Sequence, residues 1–74
     1  MMDAERAERT ARAFVATKQT PSLRHIFSRV RPSPWVEGEW LALFGLEAAE
    51  GGPVDGWAVV VVDASGQARF LVDG

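Results

Sequence analysis

Few side chains in this sequence can do chemistry at neutral pH. His25 is the single histidine. It stands among Arg24, Arg29 and Arg31, with no carboxylate near it in sequence to orient it as a base. These neighbours point to a solvated helix residue rather than a catalytic one. Glu37 and Glu39 are two apart. On a strand that spacing puts both carboxylates on one face, which suits a cation or an acid–base pair. Their ordinary role is to solvate the start of a strand. Asp55 and Asp63 form a second candidate pair. Ser22, Ser28, Ser33 and Ser65 have no nucleophile-elbow context. The glycine-rich stretch GGPVDG at 51–56 lacks the Lys-Ser/Thr ending of a phosphate loop, and the pattern after it is a strand. The chain has no cysteine, so disulfides, thiolate metal sites and a cysteine nucleophile are excluded. One histidine excludes a multi-histidine zinc site within one chain. No catalytic, metal or cofactor-binding residue is therefore assigned, no cofactor is expected, and the chain is not expected to be an enzyme.

The elements that would carry these residues follow from periodicity. Residues 3–19 read as a helix, with Asp3 as cap and Glu5 in the first turn. Ala4, Ala7, Ala11, Phe14 and Val15 form its apolar stripe. Glu5 and Glu8 precede Arg9 and Arg12 by four residues, the favourable order for helix ion pairs. Thr20-Pro21-Ser22 ends this helix and can start another, with proline at the first helical position. Leu23, Ile26, Phe27 and Val30 then recur at i, i+3, i+4 and i+7, so 21–31 is read as a second helix, with a strand as the open alternative. Residues 39–46 alternate as a strand, with Trp40, Ala42, Phe44 and Leu46 on one face and Leu41 and Leu43 on the other. Residues 47–56 read as a loop. Trp57 to Val62 is the strongest strand, Asp63-Ala64-Ser65-Gly66 a type I turn with Gly66 left-handed, and 67–73 the returning strand.

Pairing Asp63 with Gln67 sets the hairpin register. Val62 then faces Ala68, Val60 faces Phe70 and Ala58 faces Val72, all on one side of the sheet. Trp57, Val59, Val61 and Leu71 lie on the other, with Arg69 and Asp73. Both faces are apolar, whereas an antiparallel sheet with one wet face alternates cleanly. Helices can cover one face. The other, with Leu41 and Leu43 added, is a contiguous patch near the upper end of the roughly 300–600 Å² found on monomers, and it contains a tryptophan, a residue enriched at interfaces. Trp57, Val59, Val61, Leu71, Leu41 and Leu43 are thus the candidate protein interface, most simply that of a two-fold homodimer, with another protein as the other expected partner.

Length and charge bear on the partner. The chain has 74 residues, 47% hydrophobic, with net charge −2. It fits one domain, 1–74, with a helical part at 3–31 and a β part at 36–73. Domains this small often need a staple or a partner. Residues 1–34 carry net +4 and residues 35–74 net −6. Arg6, Arg9, Arg12, Arg24, Arg29 and Arg31 are the candidate nucleic-acid contacts. No aromatic residue is interleaved with them to stack on bases, so nucleic acid is the disfavoured partner. The charged start MMDAERAERTAR is unlike a secretory signal, and the aliphatic run Ala58 to Val62 is too short to cross a bilayer. A cytoplasmic, membrane-free location is expected.

Trp40 to Phe44, followed by Trp57 to Val72 with its VVVVDASGQARFL hairpin, resembles the sheet end of small bacterial immunity-type proteins, the barnase-inhibitor-like and nuclear transport factor 2-like sorts. It is also similar to PepSY-type modules, where a helix precedes strands ending in a comparable Asp-x-x-Gly turn. The resemblance covers about half the chain and transfers no functional residue. For the immunity families it implies a non-catalytic role, binding and blocking a toxin.

The expected fold is α+β, one or two N-terminal helices packed on a three-stranded antiparallel meander. Its expected core is Phe14, Leu23, Ile26, Phe27, Val30, Phe44, Val60, Val62 and Phe70. The expected function is a non-enzymatic protein-binding module, an accessory, inhibitor or immunity-like subunit. The alternatives are nucleic-acid binding through the basic helices, and a small-ligand or enzyme subunit with a pocket between the helices and Trp40.

Overall fold

The computed structural model describes residues 2–18, 23–48, 50–51 and 53–71, with 53–55 as backbone alone. One helix packs on one face of a four-stranded antiparallel sheet, an α+β fold.

The helix α1 runs Ala4–Ala16. Its cap is Asp3, whose carboxylate accepts the Arg6 N–H at 2.9 Å. The expected pairs form, Arg9 with Glu5 at 3.2 Å and Arg12 with Glu8 at 2.8 Å. The helix stops at Thr17, whose N–H and hydroxyl both donate to the Phe14 carbonyl. Residues 19–22, with the expected Thr20 cap and Pro21, lie outside the described residues.

The strands are β1 Leu23–Pro32, β2 Trp40–Ala48, β3 Pro53–Val62 and β4 Ala68–Phe70, side by side in that order. The expected second helix over 21–31 is therefore a strand. The reason is a β-bulge. Phe27 pairs with Phe44 and Arg29 with Leu43, leaving Ser28 as an extra residue. Past the bulge the alternation resumes with opposite parity. Phe27 and Val30 fall on one face although they are three apart, a spacing that imitates a helix. As a strand the segment also gives β2 a partner along its whole length. Ile26 consequently leaves the expected core and is 45% exposed on the far face.

The expected 47–56 loop is mostly strand. β2 continues to Ala48 and β3 begins at Pro53, proline being tolerated as the first residue of a strand. Trp57 pairs with Gly45 and Val54 with Leu46, so residues 55 and 56 bulge out. Gly56 makes this possible with φ +115°. The β3–β4 hairpin keeps the expected register, with Val62 opposite Ala68 and Val60 opposite Phe70. Its turn is closed by Gly66 N–H to Asp63 O and Asp63 N–H to Gln67 O, each 2.9 Å, with Gly66 at φ +90°. β4 is three residues long, shorter than expected. Val72 and Asp73 lie outside the described residues.

The core lies between α1 and the sheet. Ala7, Ala11 and Val15, with Met2, meet Ala42, Phe44, Val60 and Val62. The alanines are fully buried and let the helix backbone approach the sheet closely. Phe14, Phe27, Val30 and Phe70 pack around this centre. The sheet curls toward the helix. The rings of His25 on β1 and Phe70 on β4 are 6.0 Å apart, although three strand spacings in a flat sheet amount to roughly 14 Å.

Candidate protein-binding face

The strand registers place the far face of the sheet in rows. Ile26, Gly45 and Trp57 make one row across β1, β2 and β3. Arg29, Leu43 and Val59 make the next, and Leu71 extends it by donating its N–H to the Val59 carbonyl at 2.8 Å. Arg31, Leu41, Val61 and Arg69 make the third. Arg24 and Glu47 pair at the end nearest Ile26, 3.6 Å apart.

The two ends of this face differ. Leu41 and Val61 are buried. Arg69 on β4 reaches Glu39, which precedes β2, at 3.9 Å. The pair therefore passes across β3 beside Val61. At the other end Trp57 is 64% exposed and Leu71 39%. Leu43 and Val59 between them are half-buried. Of the six residues expected at the interface, Trp57 and Leu71 are thus open, Leu43 and Val59 partly so, and Leu41 and Val61 are under the charged strap. Ile26 joins the open end, which the helical reading of 21–31 concealed. The signal was present in the sequence: Arg24, Ile26 alternating with His25, Phe27.

Gly45 shapes the open end. A methyl group at this glycine would stand 3.9 Å from Cζ3 of Trp57 and 3.9 Å from the Ile26 carbonyl. The indole thus stands beside the bare backbone of β2 at Gly45 while most of its surface is open. A shallow depression of about 350 Å³ beside it is lined by Ser28, Arg29, Leu43 and Trp57. No described helix or strand lies over this face.

The six arginines named as candidate nucleic-acid contacts are divided between the two sides of the sheet. Arg6, Arg9 and Arg12 are on α1, on the helix side of the sheet. Arg9 and Arg12 are ion-paired, and Arg12 also sits 4.5 Å over the Phe27 ring. Arg24, Arg29 and Arg31 point to the opposite face.

The other candidates for chemistry are taken up structurally. His25 is a half-buried strand residue, against the solvated helix position expected for it. It lies 6.3 Å from the Phe44 ring and stacks on Phe70, on the face away from its arginine neighbours. Glu37 is in the 33–39 turn rather than on a strand, and Glu39 is buried and directed to Arg69, so the two do not form a strand-face pair. The Asp63 carboxylate accepts from the Ser65 hydroxyl at 2.6 Å and from the Ser65 and Gln67 N–H groups at 3.0 Å each. The Ser65 hydroxyl first, then the Gln67 N–H, hold its pKa below the usual aspartate value. The Asp55 side chain lies outside the described residues. A depression of about 540 Å³ beside Trp40 is lined by the 32–40 segment and Met2. It has the aromatic wall expected of a ligand pocket, but its polar lining does not converge, since Glu39 turns to Arg69. Among the described residues no three His, Asp or Glu side chains are placed to hold a metal ion, and no helix is long and apolar enough to cross a membrane. Comparison of the chain with protein-family models, with curated proteins and with solved structures finds no match.

Proposed function

We propose that this chain is a non-enzymatic protein-binding module that docks its partner on the sheet face opposite α1. One observation carries the reading. Ile26, Trp57 and Leu71 are exposed together around half-buried Leu43 and Val59, at the end of the face left open by the Arg69–Glu39 strap. Exposed apolar side chains that share a patch mark interaction sites, whereas scattered ones need no explanation. Tryptophan is the residue type most often decisive at such sites. An accessory or inhibitor subunit, including the immunity-like role that the strand half implies by resemblance, is the form of binding module that needs no catalytic groups of its own.

The test compares wild type with the double variant Ile26→Ser, Trp57→Ser in affinity purification from the native host. Both sites are surface positions, so circular dichroism should show an unchanged fold. A protein held by the wild type and lost from the variant is the expected result. Equal recovery of every protein by the two chains would overturn the reading.

A further inference from the structure

Resting on that protein-binding reading, we propose that the occupant of the face is an acidic, apolar segment of another protein rather than a second copy of this chain. The observation is how charge is distributed around the apolar floor. Arg24, Arg29 and Arg31 all project from β1 on the open face, beside Ile26 and in the rows of Leu43 and Leu41. Arg24 is matched by Glu47. Arg29 and Arg31 make no ion pair among the described residues. Among the described residues the carboxylates that share the face are Glu39 and Glu47, and both are engaged, Glu39 with Arg69 and Glu47 with Arg24. The described face is therefore apolar, with two cations along one side that no described carboxylate matches.

A second copy would present the same face, whose described residues offer no free carboxylate to Arg29 and Arg31. Two such faces brought together would add four unmatched guanidinium groups at the rim of an apolar contact, an arrangement that like charge opposes. A segment with aliphatic or aromatic side chains on one side and Asp or Glu beside them matches both features. Its apolar side would cover Ile26, Leu43, Trp57 and Leu71, and its carboxylates would meet the guanidinium forks. A nucleic-acid strand matches less well. The described face offers one ring for stacking, where sequence-tolerant single-strand binding uses successive aromatic platforms, and Ile26 and Leu71 would gain nothing from a phosphate chain.

The experiment is selection of displayed random 16-residue peptides on the immobilised full chain, in parallel with its Arg29→Glu, Arg31→Glu variant and its Ile26→Ser, Trp57→Ser variant. Sedimentation of the free chain and titration with oligo(dT) are run beside it. The expected result is enrichment of peptides rich in Asp or Glu together with Leu, Phe or Trp. Their affinity should fall at least tenfold on the charge-reversed variant, which should instead select Lys- and Arg-containing peptides. Selection of apolar peptides without acidic bias, equally bound by the charge-reversed chain, overturns the acidic partner and leaves the apolar face standing. In that outcome Arg29 and Arg31 serve to keep the β1 edge from pairing with other strands. A dimer that Trp57→Ser disrupts replaces the proposed occupant with a second copy. Oligo(dT) bound in preference to any peptide, or no peptide distinguishing the wild type from the Ile26→Ser, Trp57→Ser variant, overturns the proposal and the protein-binding reading together.

Discussion

Trp57 stands beside Gly45. The two are register partners on β3 and β2, and the indole Cζ3 is within van der Waals reach of any methyl placed on the glycine. A strand glycine normally weakens a sheet because it has nothing to pack. Here the indole stands beside it. The same side chain therefore packs at Gly45 and is 64% exposed to solvent.

Enlarging Gly45 should separate these two roles. Gly45→Ala meets ordinary contact distances, so stability should change by about 1 kcal/mol or less, in the stabilising direction, because alanine is the better strand residue. Gly45→Leu should lift the indole off the sheet. Acrylamide quenching of the tryptophan fluorescence should rise for Gly45→Leu and stay near wild type for Gly45→Ala. Equal quenching in the two would contradict the packing of Trp57 on Gly45.

Two residues on adjacent strands, Phe44 on β2 and Ile26 on β1, should differ sharply in what their substitution costs. Phe44 is 1% exposed, with the Phe27 ring 5.6 Å away edge-on. Phe44→Ala should cost about 3–5 kcal/mol. A chain of this length has a stability on the order of 4–11 kcal/mol at the usual per-residue values, so this loss should remove much of it. Ile26→Ser, on the open face, should stay within about 0.5 kcal/mol. Urea unfolding of both variants measures this. A loss above 2 kcal/mol at Ile26 would return that residue to the core and favour the helical reading of its segment.

Arg12 ties the helix to the sheet. Its guanidinium is 2.8 Å from Glu8 and 4.5 Å over the Phe27 ring. Arg12→Ala should cost about 0.5–1 kcal/mol, most of it through lost contact with the ring. Arg12→Met should recover part of that, and Glu8→Gln should have a smaller effect, since exposed helix pairs are worth about 0.3–0.5 kcal/mol. Thermal melts of the three variants would rank them. Identical melting of Arg12→Ala and wild type would remove the stacked contact from the account.

The β3–β4 turn should make stability fall in acid. Hydrogen bonds from Ser65 and Gln67 favour the ionised form of Asp63, so its pKa is lower in the folded chain than in the unfolded one. A group with that sign stabilises the fold above the unfolded value, about 3.9 for aspartate, and the contribution disappears as pH falls through the folded value. Asp63→Ala should therefore be less stable than wild type at pH 7, and the gap should narrow below about pH 4. Denaturant midpoints across that range check the trend. A gap that widens in acid would reverse the sign.

Much of the fold is legible in the sequence because it depends on neighbours along the chain. The Asp3 cap, the Glu5–Arg9 and Glu8–Arg12 pairs, the Asp63–Gly66 turn and the pairing of Val62 with Ala68 and Val60 with Phe70 all rest on contacts within a few residues or across one tight turn. The alternation around Trp57, Val59 and Val61 likewise announces a second apolar face. The tertiary structure decided what depends on distant partners. Only pairing with β2 makes 23–32 a strand, because Ser28 bulges and disguises period two as a helical spacing. Only the bulge at 55 and 56 carries β3 on to pair with Leu46 and Glu47. Only the assembled sheet brings Arg69 and Glu39 together across β3, burying Val61 and Leu41 beside it and leaving the opposite end open. A bulge changes which face every later residue occupies, and local propensity does not register it.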